Sequence, residues 1–571
     1  MAPSFYISRI CIGSIFIFIF AAFLYAQESS LEERTREFLR QRIEASGHPP
    51  AIMVGEIQIY SNIVLPQFYL ERTYRPAWSD NDGPLSIADS LIAGIRNSYR
   101  DGLHPEDYHL EAIENILSTI RDRQRRNQPL NHLRLVDLDL LLTDAFLVLG
   151  SHFLGGRVDP VTLDPDWHPS RREINLGTVL HDALANQRIQ HSLKNLLPRH
   201  PDYFRLRESL AYYRTVKDDG GWPLIPEGPT MRKGDTGERI KALHKRLVLA
   251  GDYSEESLSD EHIFDDTFDG TLEQAVIRFQ KRHGLGTDGL VGRETLAQLN
   301  TYVEQRLQQV LLNMERWRWL PQSLGDRYIL VNIANFELDV IENGESVMNM
   351  RVIVGRHYRR TPVFTGRMTY LVFSPFWNIP PGITANDVLP QIRKDISYLA
   401  TNNIRVFRGW GADAPEVDPA TVDWSAITPR NNPYRFRQDP GPNNSLGLVK
   451  FMFPNRFNVY LHDTPARELF ARVQRDFSSG CIRIENPVGL SEYLLADRPE
   501  WAREAITAAM RRTTERTVTL LRPIPVHILY WTAWATDDGT IHFRRDIYNR
   551  DQRLYDALVS ANRRQLTTVI E

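Results

Sequence analysis

Two short segments hold residues whose types and spacing could do chemistry together: Phe457-Asn458-Val459-Tyr460-Leu461-His462 and Ser478-Ser479-Gly480-Cys481-Ile482-Arg483-Ile484. Cys481 and His462 lie 19 positions apart. Amide cleavage by acyl transfer needs a nucleophile, and a free thiol with a pKa of about 8.5 is only a few per cent ionised at neutral pH. An imidazole within reach can take the thiol proton and leave a thiolate–imidazolium pair. Gly480 permits close approach of backbone N–H groups, and those around Ser479 to Cys481 could bind the developing oxyanion. Each such donor is worth about 3 kcal/mol of transition-state stabilisation. Arg483 has two open readings, holding the loop or holding a substrate carboxylate. Asp463 would point away from His462 on a strand, so a backbone carbonyl is the better orienter of the imidazole.

These residues need rigid elements to place them. Phe457 to His462 alternates like a half-buried strand, with Phe457, Val459 and Leu461 toward the core and Tyr460 and His462 sharing the other face. Thr464 is expected to cap a following helix that has Pro465 at its first position. That helix would turn Leu469, Phe470, Val473 and Phe477 inward and bring the chain back beside the strand. With Ile482 and Ile484 in the core, Cys481 and Arg483 share the accessible face, where Cys481 and His462 are expected to meet. Period-two patterning over 328–333, 336–341, 351–354 and 368–373, with Asn343-Gly344 as a hairpin turn, predicts a β-rich catalytic domain. Within it, about 383–446 is rich in Pro, Asn and Trp and reads as a lid. Its Trp410 and Trp424 are expected in the lid's own core.

The whole chain has 571 residues, 42% hydrophobic and 24% charged, with a formal charge of −3. That length suits three to four units, and the interspersed charges give no basic stripe for nucleic acid. Arg9, the apolar run Ile10 to Ala26 and the polar Gln27-Glu28-Ser29-Ser30 describe an export signal. Cleavage after 26 and retention as an inner-membrane anchor both fit. The two cysteines are Cys11, inside that segment, and Cys481. The exported part therefore carries one thiol and no internal disulfide.

Residues 30–228 read as a helical scaffold, with a strongly apolar helix at 140–154 and another at 203–213. A linker follows at 226–229. Residues 231–300 give two amphipathic helices, the first with Ile240, Leu243, Leu247 and Leu249, the second from 271 to 283 with Leu272, Ala275, Val276 and Phe279. Together with Arg232, Gly234-Asp235, Phe279-Gln280, His283-Gly284-Leu285, Asp288-Gly289 and Gly292, they resemble the small three-helix peptidoglycan-binding module. Tyr302 to Trp317 is a linking helix, and Trp317 and Trp319 are expected in the core.

Tyr460-Leu461-His462-Asp463-Thr464-Pro465 followed by Ser478-Ser479-Gly480-Cys481-Ile482-Arg483 resembles the active site of L,D-transpeptidases with the YkuD-type domain. Ser479 departs from the His found there in many members, which leaves His462 as the motif histidine able to act as base. Arg360-Thr361-Pro362, the 375–381 segment around Trp377 and the 440–447 segment around Asn444 extend the likeness to the large YcbB-like subgroup of diderm bacteria. The fold expected is multidomain α+β: a β-rich, sandwich-like catalytic domain with its lid, an α-helical scaffold and the three-helix module. The expected boundaries are a signal or anchor at 1–26, a scaffold at 30–228, a binding module at 229–300 and a linking helix at 301–325. The catalytic domain follows at 326–525, and a C-terminal segment at 526–571 packs on the scaffold or catalytic domain.

The resemblance implies a periplasmic enzyme that joins stem tetrapeptides through 3→3 cross-links, with Cys481 as nucleophile and His462 as base. It further implies site support from Ser479, Gly480 and Arg483, substrate contacts from Tyr460, Trp377 and Asn444, and inhibition by carbapenem β-lactams; whether the scaffold docks other cell-wall enzymes is left open by the sequence. No cofactor or metal is expected, since Cys481 and His462 lack C-x-x-C or H-E-x-x-H partners. The alternatives are an L,D-carboxypeptidase using water and a non-catalytic wall-binding scaffold. The second leaves the Cys–His pair unexplained.

Overall fold

The computed structural model describes residues 29–47, 51–168, 172–253 and 266–561. The export signal expected at 1–26 lies outside them, and among the described residues no helix is long and apolar enough to cross a membrane. The chain forms two compact units, Met1–Leu154 with Glu173–Leu197 and Arg564–Glu571, and Gly155–Arg172 with Pro198–Arg563.

The first unit is helical and is organised by one long helix, His132–Gly155, which is buried almost all round. An apolar stretch with no polar face can only be satisfied in this way. Its two buried carboxylates are used to staple loops. Asp139 accepts from the amides of Ala77 (2.7 Å) and Trp78 (3.1 Å) and from the Tyr69 hydroxyl (2.7 Å). Asp144 accepts from the Ser61 amide (2.6 Å) and pairs with His109 Nε2 (2.7 Å).

The helix expected at 203–213 spans Pro201–Asp218 and belongs to the second unit. It lies against the linking helix Val303–Arg318, with Arg318 Nη2 donating to the Tyr203 hydroxyl at 3.2 Å. Trp317 stacks on Trp531 with ring centroids 4.4 Å apart, and Trp319 meets Trp167 edge-on, so both are core residues as expected. The binding module has three helices, Glu238–Leu249, Gly270–Arg282 and Arg293–Leu299. They close over Ile240, Leu243, Leu247, Leu272, Val276 and Phe279. Leu249, expected inside, is exposed at the end of the first helix.

The catalytic sheet is built from β1 (Trp167–His168), β2 (Arg327–Asn332), β3 (Glu337–Glu342), β4 (Glu345–Ile353) and β5 (Val363–Phe373). It continues, beyond the lid strands β6 (Trp377–Asn378), β7 (Ile404–Arg408) and β8 (Tyr434–Gln438), with β9 (Val449–Met452), β10 (Leu461–His462), β11 (Ile482–Ile484) and β12 (Arg516–Leu529). The pairings run β9–β10–β11–β4–β3–β2–β12–β5, and β5 pairs again with β9, so the sheet closes on itself. The expected sandwich is thus a continuous ring, because Tyr370 to Phe373 bond along both strand edges, to β12 and to β9.

β12 runs through the boundary expected at 525, since Val526 to Leu529 pair in parallel with β2. The segment after it is tied to the catalytic domain. Tyr548 bonds the Gly355 carbonyl, and Arg550 meets Asp164 at 3.1 Å.

The lid is an ordered subdomain. Its strands pair in the order β6–β8–β7, and it has a core of its own, including Ile379, Leu389, Ile392, Val406, Trp424 and Phe436. It begins before 383, because Trp377 and Ile379 already belong to it. Trp424 is buried as expected, whereas Trp410 is 58% exposed.

Candidate active site

The geometry of the site follows from one pair of strands. β10 and β11 run parallel with Leu461 opposite Ile482 and His462 opposite Arg483. Leu461, Ile482 and Ile484 are fully buried, as the alternation predicts. The same register puts Tyr460 level with Cys481 and moves His462 one pleat repeat along, roughly 6.6 Å at 3.3 Å per residue. One face of the pair therefore carries two rows, Tyr460 with Cys481 and His462 with Arg483, with Cys481 and His462 as diagonal neighbours.

The Tyr460 hydroxyl and amide stand beside the thiol and favour its ionised form, and the thiol donates to the Asn458 carbonyl at 3.8 Å. Burial pushes its pKa up, while Tyr460 and the charge of Arg483 pull it down. Burial, and then the neighbouring thiol, hold the Tyr460 phenol well above its usual range, so it acts as a donor. Asn458 sits at a φ of 53°, which ends the extended run that the sequence suggested from 457. Asn bears that left-handed conformation better than most residues.

His462 is buried and its Nδ1 donates to the Asp463 carbonyl at 2.5 Å, the orientation by a backbone carbonyl that the sequence suggests. Burial and the Arg483 charge hold its pKa down to about 3, so the ring is neutral. The Asp463 carboxylate turns away, accepting from the Leu448 amide at 2.9 Å and from Arg467 at 3.1 Å. The helix expected after Thr464 is only a 3₁₀ turn, Arg467–Ala471, with Phe470 buried and Val473 exposed. Pro465 lies before that turn, and an extended stretch through Arg475 makes the return journey. Arg475 O accepts from Val354 N at 2.9 Å.

The turn that carries Cys481 is held from within and from beside. Buried Ser478 accepts from the Gly480 amide at 3.1 Å and donates to the Cys481 carbonyl at 2.5 Å. Thr361 Oγ1 donates to the Gly480 carbonyl and accepts from the Gly355 amide, both at 2.9 Å. Gly480 has a φ of +115°, a conformation that favours glycine, and a side chain at Gly355 would strike the Arg359 carbonyl. Because the Gly480 amide is spent on Ser478, it is not an oxyanion donor in this arrangement. Among the described residues the amides of Ser479 and Cys481 meet no acceptor.

Ser479 is exposed, and its hydroxyl accepts from Arg359 Nη1 at 2.8 Å. The same nitrogen bonds Asp387 of the lid at 2.6 Å, so one guanidinium ties that turn to the lid. Arg483 has no carboxylate bound and its Nε is unpartnered. Burial and the charge of Arg356 lower its pKa.

Two of the expected substrate contacts are placed otherwise. Asn444 is 2% exposed, with its amide nitrogen donating to the carbonyls of Pro375 and Asp439, both at 3.0 Å, and its oxygen accepting from Leu446 N at 2.8 Å. It braces the loop and has no group left for a ligand. Trp377 is half-buried, paired with Gln438 in the lid sheet and packed on the lid core. Thr361, Ser478 and Arg359 were not singled out as site residues. Thr361 lies in the quoted Arg360-Thr361-Pro362 match and Ser478 in the nucleophile motif, but nothing local signals that Arg359 reaches Ser479.

Residues 326–507 match the L,D-transpeptidase catalytic domain family, YkuD. Residues 236–299 match the "Putative peptidoglycan binding domain" and 64–210 the scaffold domain. The chain thus carries a YkuD L,D-transpeptidase catalytic domain together with a peptidoglycan-binding domain and a scaffold domain. A curated relative, a "Putative L,D-transpeptidase" of Haemophilus influenzae, is 35% identical over 249 residues. The match takes in 43% of this chain and spans about half, 49%, of that relative's length. Two solved structures align over 53% of this chain and 100% of their own: an L,D-transpeptidase from Xylanimonas cellulosilytica (16% identity, TM-score 0.16) and a fused Zn-dependent amidase/peptidase/peptidoglycan-binding domain-containing protein from Clostridium acetobutylicum (12%, TM-score 0.14). At those scores neither superposition supports a detailed comparison.

Proposed function

We propose that the protein is an exported, cysteine-dependent L,D-transpeptidase that forms 3→3 cross-links between diaminopimelate residues of peptidoglycan stems. The observation that carries this reading is Cys481 on a braced turn beside the Tyr460 hydroxyl, inside the segment that matches the L,D-transpeptidase catalytic domain. Sγ attacks the carbonyl carbon of the donor's third residue, the C–N bond to the terminal D-Ala breaks, and D-Ala leaves with a proton. The side-chain amine of an acceptor diaminopimelate then attacks the thioester, the C–S bond breaks, and the thiol is restored.

His462 is the general base in this reading. Its depressed pKa keeps it unprotonated at neutral pH, on the strand beside the one that follows Cys481. The Tyr460 hydroxyl holds the thiolate, the amides of Ser479 and Cys481 face the oxyanion, and Arg483 takes a stem carboxylate. Water stands at about 55 M, so the acceptor amine wins only when positioned, and effective molarities of roughly 10⁵ M are attainable in oriented systems. The lid supplies that positioning.

The test is mass spectrometry of muropeptides made from disaccharide-tetrapeptide by purified protein. Cross-linked 3→3 dimers are expected. Cys481→Ala should make none, and His462→Ala should slow acylation by roughly 10²- to 10⁴-fold. Tripeptide alone at every acceptor concentration would mean an L,D-carboxypeptidase.

A further inference from the structure

Two of the residues that carried the resemblance to a peptidoglycan-binding module, Phe279 and Gln280, are internal to it. Phe279 is fully buried, and Gln280 is 1% exposed. The Gln280 side chain donates to Asp288 Oδ1 (2.8 Å) and the Leu290 carbonyl (2.9 Å) and accepts from Gly289 N (3.0 Å). They build the module's turn and offer nothing to a ligand. Where the module meets the catalytic sheet there is instead a cavity of about 750 Å³, lined by both and by the segment Ala471–Arg475 that joins His462 to Cys481. Sites for small ligands fall at roughly 300–1,000 Å³.

Its wall is positive. Lys281, Arg351, Arg472, Arg475, Arg544 and Arg545 stand against Glu294, Glu337 and Asp339. Arg351 is neutralised by Glu485, and Arg545 lies 3.8 Å from Glu294. Buried Arg475 and half-buried Arg544 have no such partner among the described residues. Arg475 donates only to carbonyls, those of Val352 (3.2 Å), Phe336 (3.0 Å), Arg472 (2.8 Å) and Val473 (3.4 Å). Arg544 donates to Asn335 Oδ1 (2.7 Å) and to the carbonyls of Arg282 (2.9 Å) and Phe543 (2.8 Å). Asp339 is engaged by Ser346 and Asn349, and Glu337 by Asn335, so Glu337 reaches the two guanidinium groups only at longer range. Dipoles satisfy the N–H groups but leave the charge uncancelled in a poorly solvated place, where an anion is attracted strongly. On the rim, Lys281 and Arg472 are exposed.

We infer that this cavity is a second ligand site, which takes a carboxylate-bearing stem of a peptidoglycan strand while Cys481 works on another stem. The inference rests on the proposed reading that the substrate is peptidoglycan. Neither the module nor the catalytic domain forms the site alone, so wall binding belongs to the joined pair.

The experiment uses the full chain, purified sacculi, and the charge-reversing double variant Lys281→Glu/Arg472→Glu, with Lys281→Gln and Arg472→Gln as milder single variants that keep the folded state if the double one does not. Co-sedimentation at moderate salt should show the affinity of the double variant falling by about tenfold or more, given ~1.5–3 kcal/mol for a bond to a charged group. Turnover of soluble disaccharide-tetrapeptide should stay unchanged. Sacculi whose carboxyls have been converted to amides should bind the wild-type protein as weakly as untreated sacculi bind the double variant. Equal binding of wild type and variants, equal binding of treated and untreated sacculi, or no wild-type binding would each overturn the inference. If neither protein turns over soluble substrate while the loss of sacculus binding holds, the site stands and the transpeptidase reading falls.

Discussion

Tyr460 stands level with Cys481 across the parallel pair β10–β11, and its hydroxyl and amide favour the ionised form of the thiol. Burial raises the thiol pKa while Tyr460 opposes the rise. Tyr460→Phe should therefore push the thiol pKa further up. The alkylation rate at neutral pH should drop by about tenfold, the worth of roughly one hydrogen bond to a charged group. An unchanged pH profile of alkylation would remove the hydroxyl from the site's electrostatics.

The nucleophile turn depends on Ser478, whose hydroxyl bonds Gly480 N and Cys481 O. Ser478→Ala leaves the Cys481 carbonyl without that donor, at a cost of about 1–3 kcal/mol for an unsatisfied buried group. The thermal midpoint should fall by a few degrees, and kcat should fall more than KM rises, because the thiol is displaced rather than the substrate pocket. Steady-state kinetics and calorimetry on the same preparation check both.

Arg359 joins Ser479 to Asp387 of the lid. Asp387 is substantially exposed, so Asp387→Asn should leave the fold unchanged, a surface pair being worth about 0–1 kcal/mol. It should nonetheless loosen the lid from the nucleophile turn, and the ratio of hydrolysed tripeptide to cross-linked dimer should rise. A constant product ratio would show that lid position does not set the acceptor.

Acid sensitivity follows from histidines buried in the neutral form. His462 is held down to about 3 and His542 to about 4, and burial also holds His283 well below its usual range. Each must gain a proton when the chain unfolds below an unfolded pKa of about 6.5, so the unfolded state binds more protons between that value and the folded one. Stability should be constant above about pH 7 and fall as pH drops from 6.5 toward 4. His542→Gln should flatten part of that slope in thermal melts taken across the range.

Much of the site was legible because it is local. Alternation fixed the inward face of Ile482 and Ile484, the Asn343-Gly344 turn joined β3 to β4, and the Ser-Gly-Cys sequence marked the nucleophile. The helix after Thr464 was misread because its apolar residues have a helical spacing, while tertiary contacts to Val352 and Val354 pull the chain out straight. Asn444 was misread because its motif matched a known family, and a sequence match cannot tell a ligand contact from a loop brace.

The sequence by itself determined the chemistry on offer: one thiol outside the N-terminal segment, a histidine on a strand, glycines where the backbone needs them, and a module joined by helices to a β-rich domain. Only the tertiary structure decided which of these residues touch. Strand register is set by long-range pairing, and a shift of one residue exchanges both face and neighbour. That is why Tyr460 stands level with Cys481, why Arg359 reaches Ser479 from 120 residues away, and why the uncompensated cations gather only where the module and the sheet close on each other.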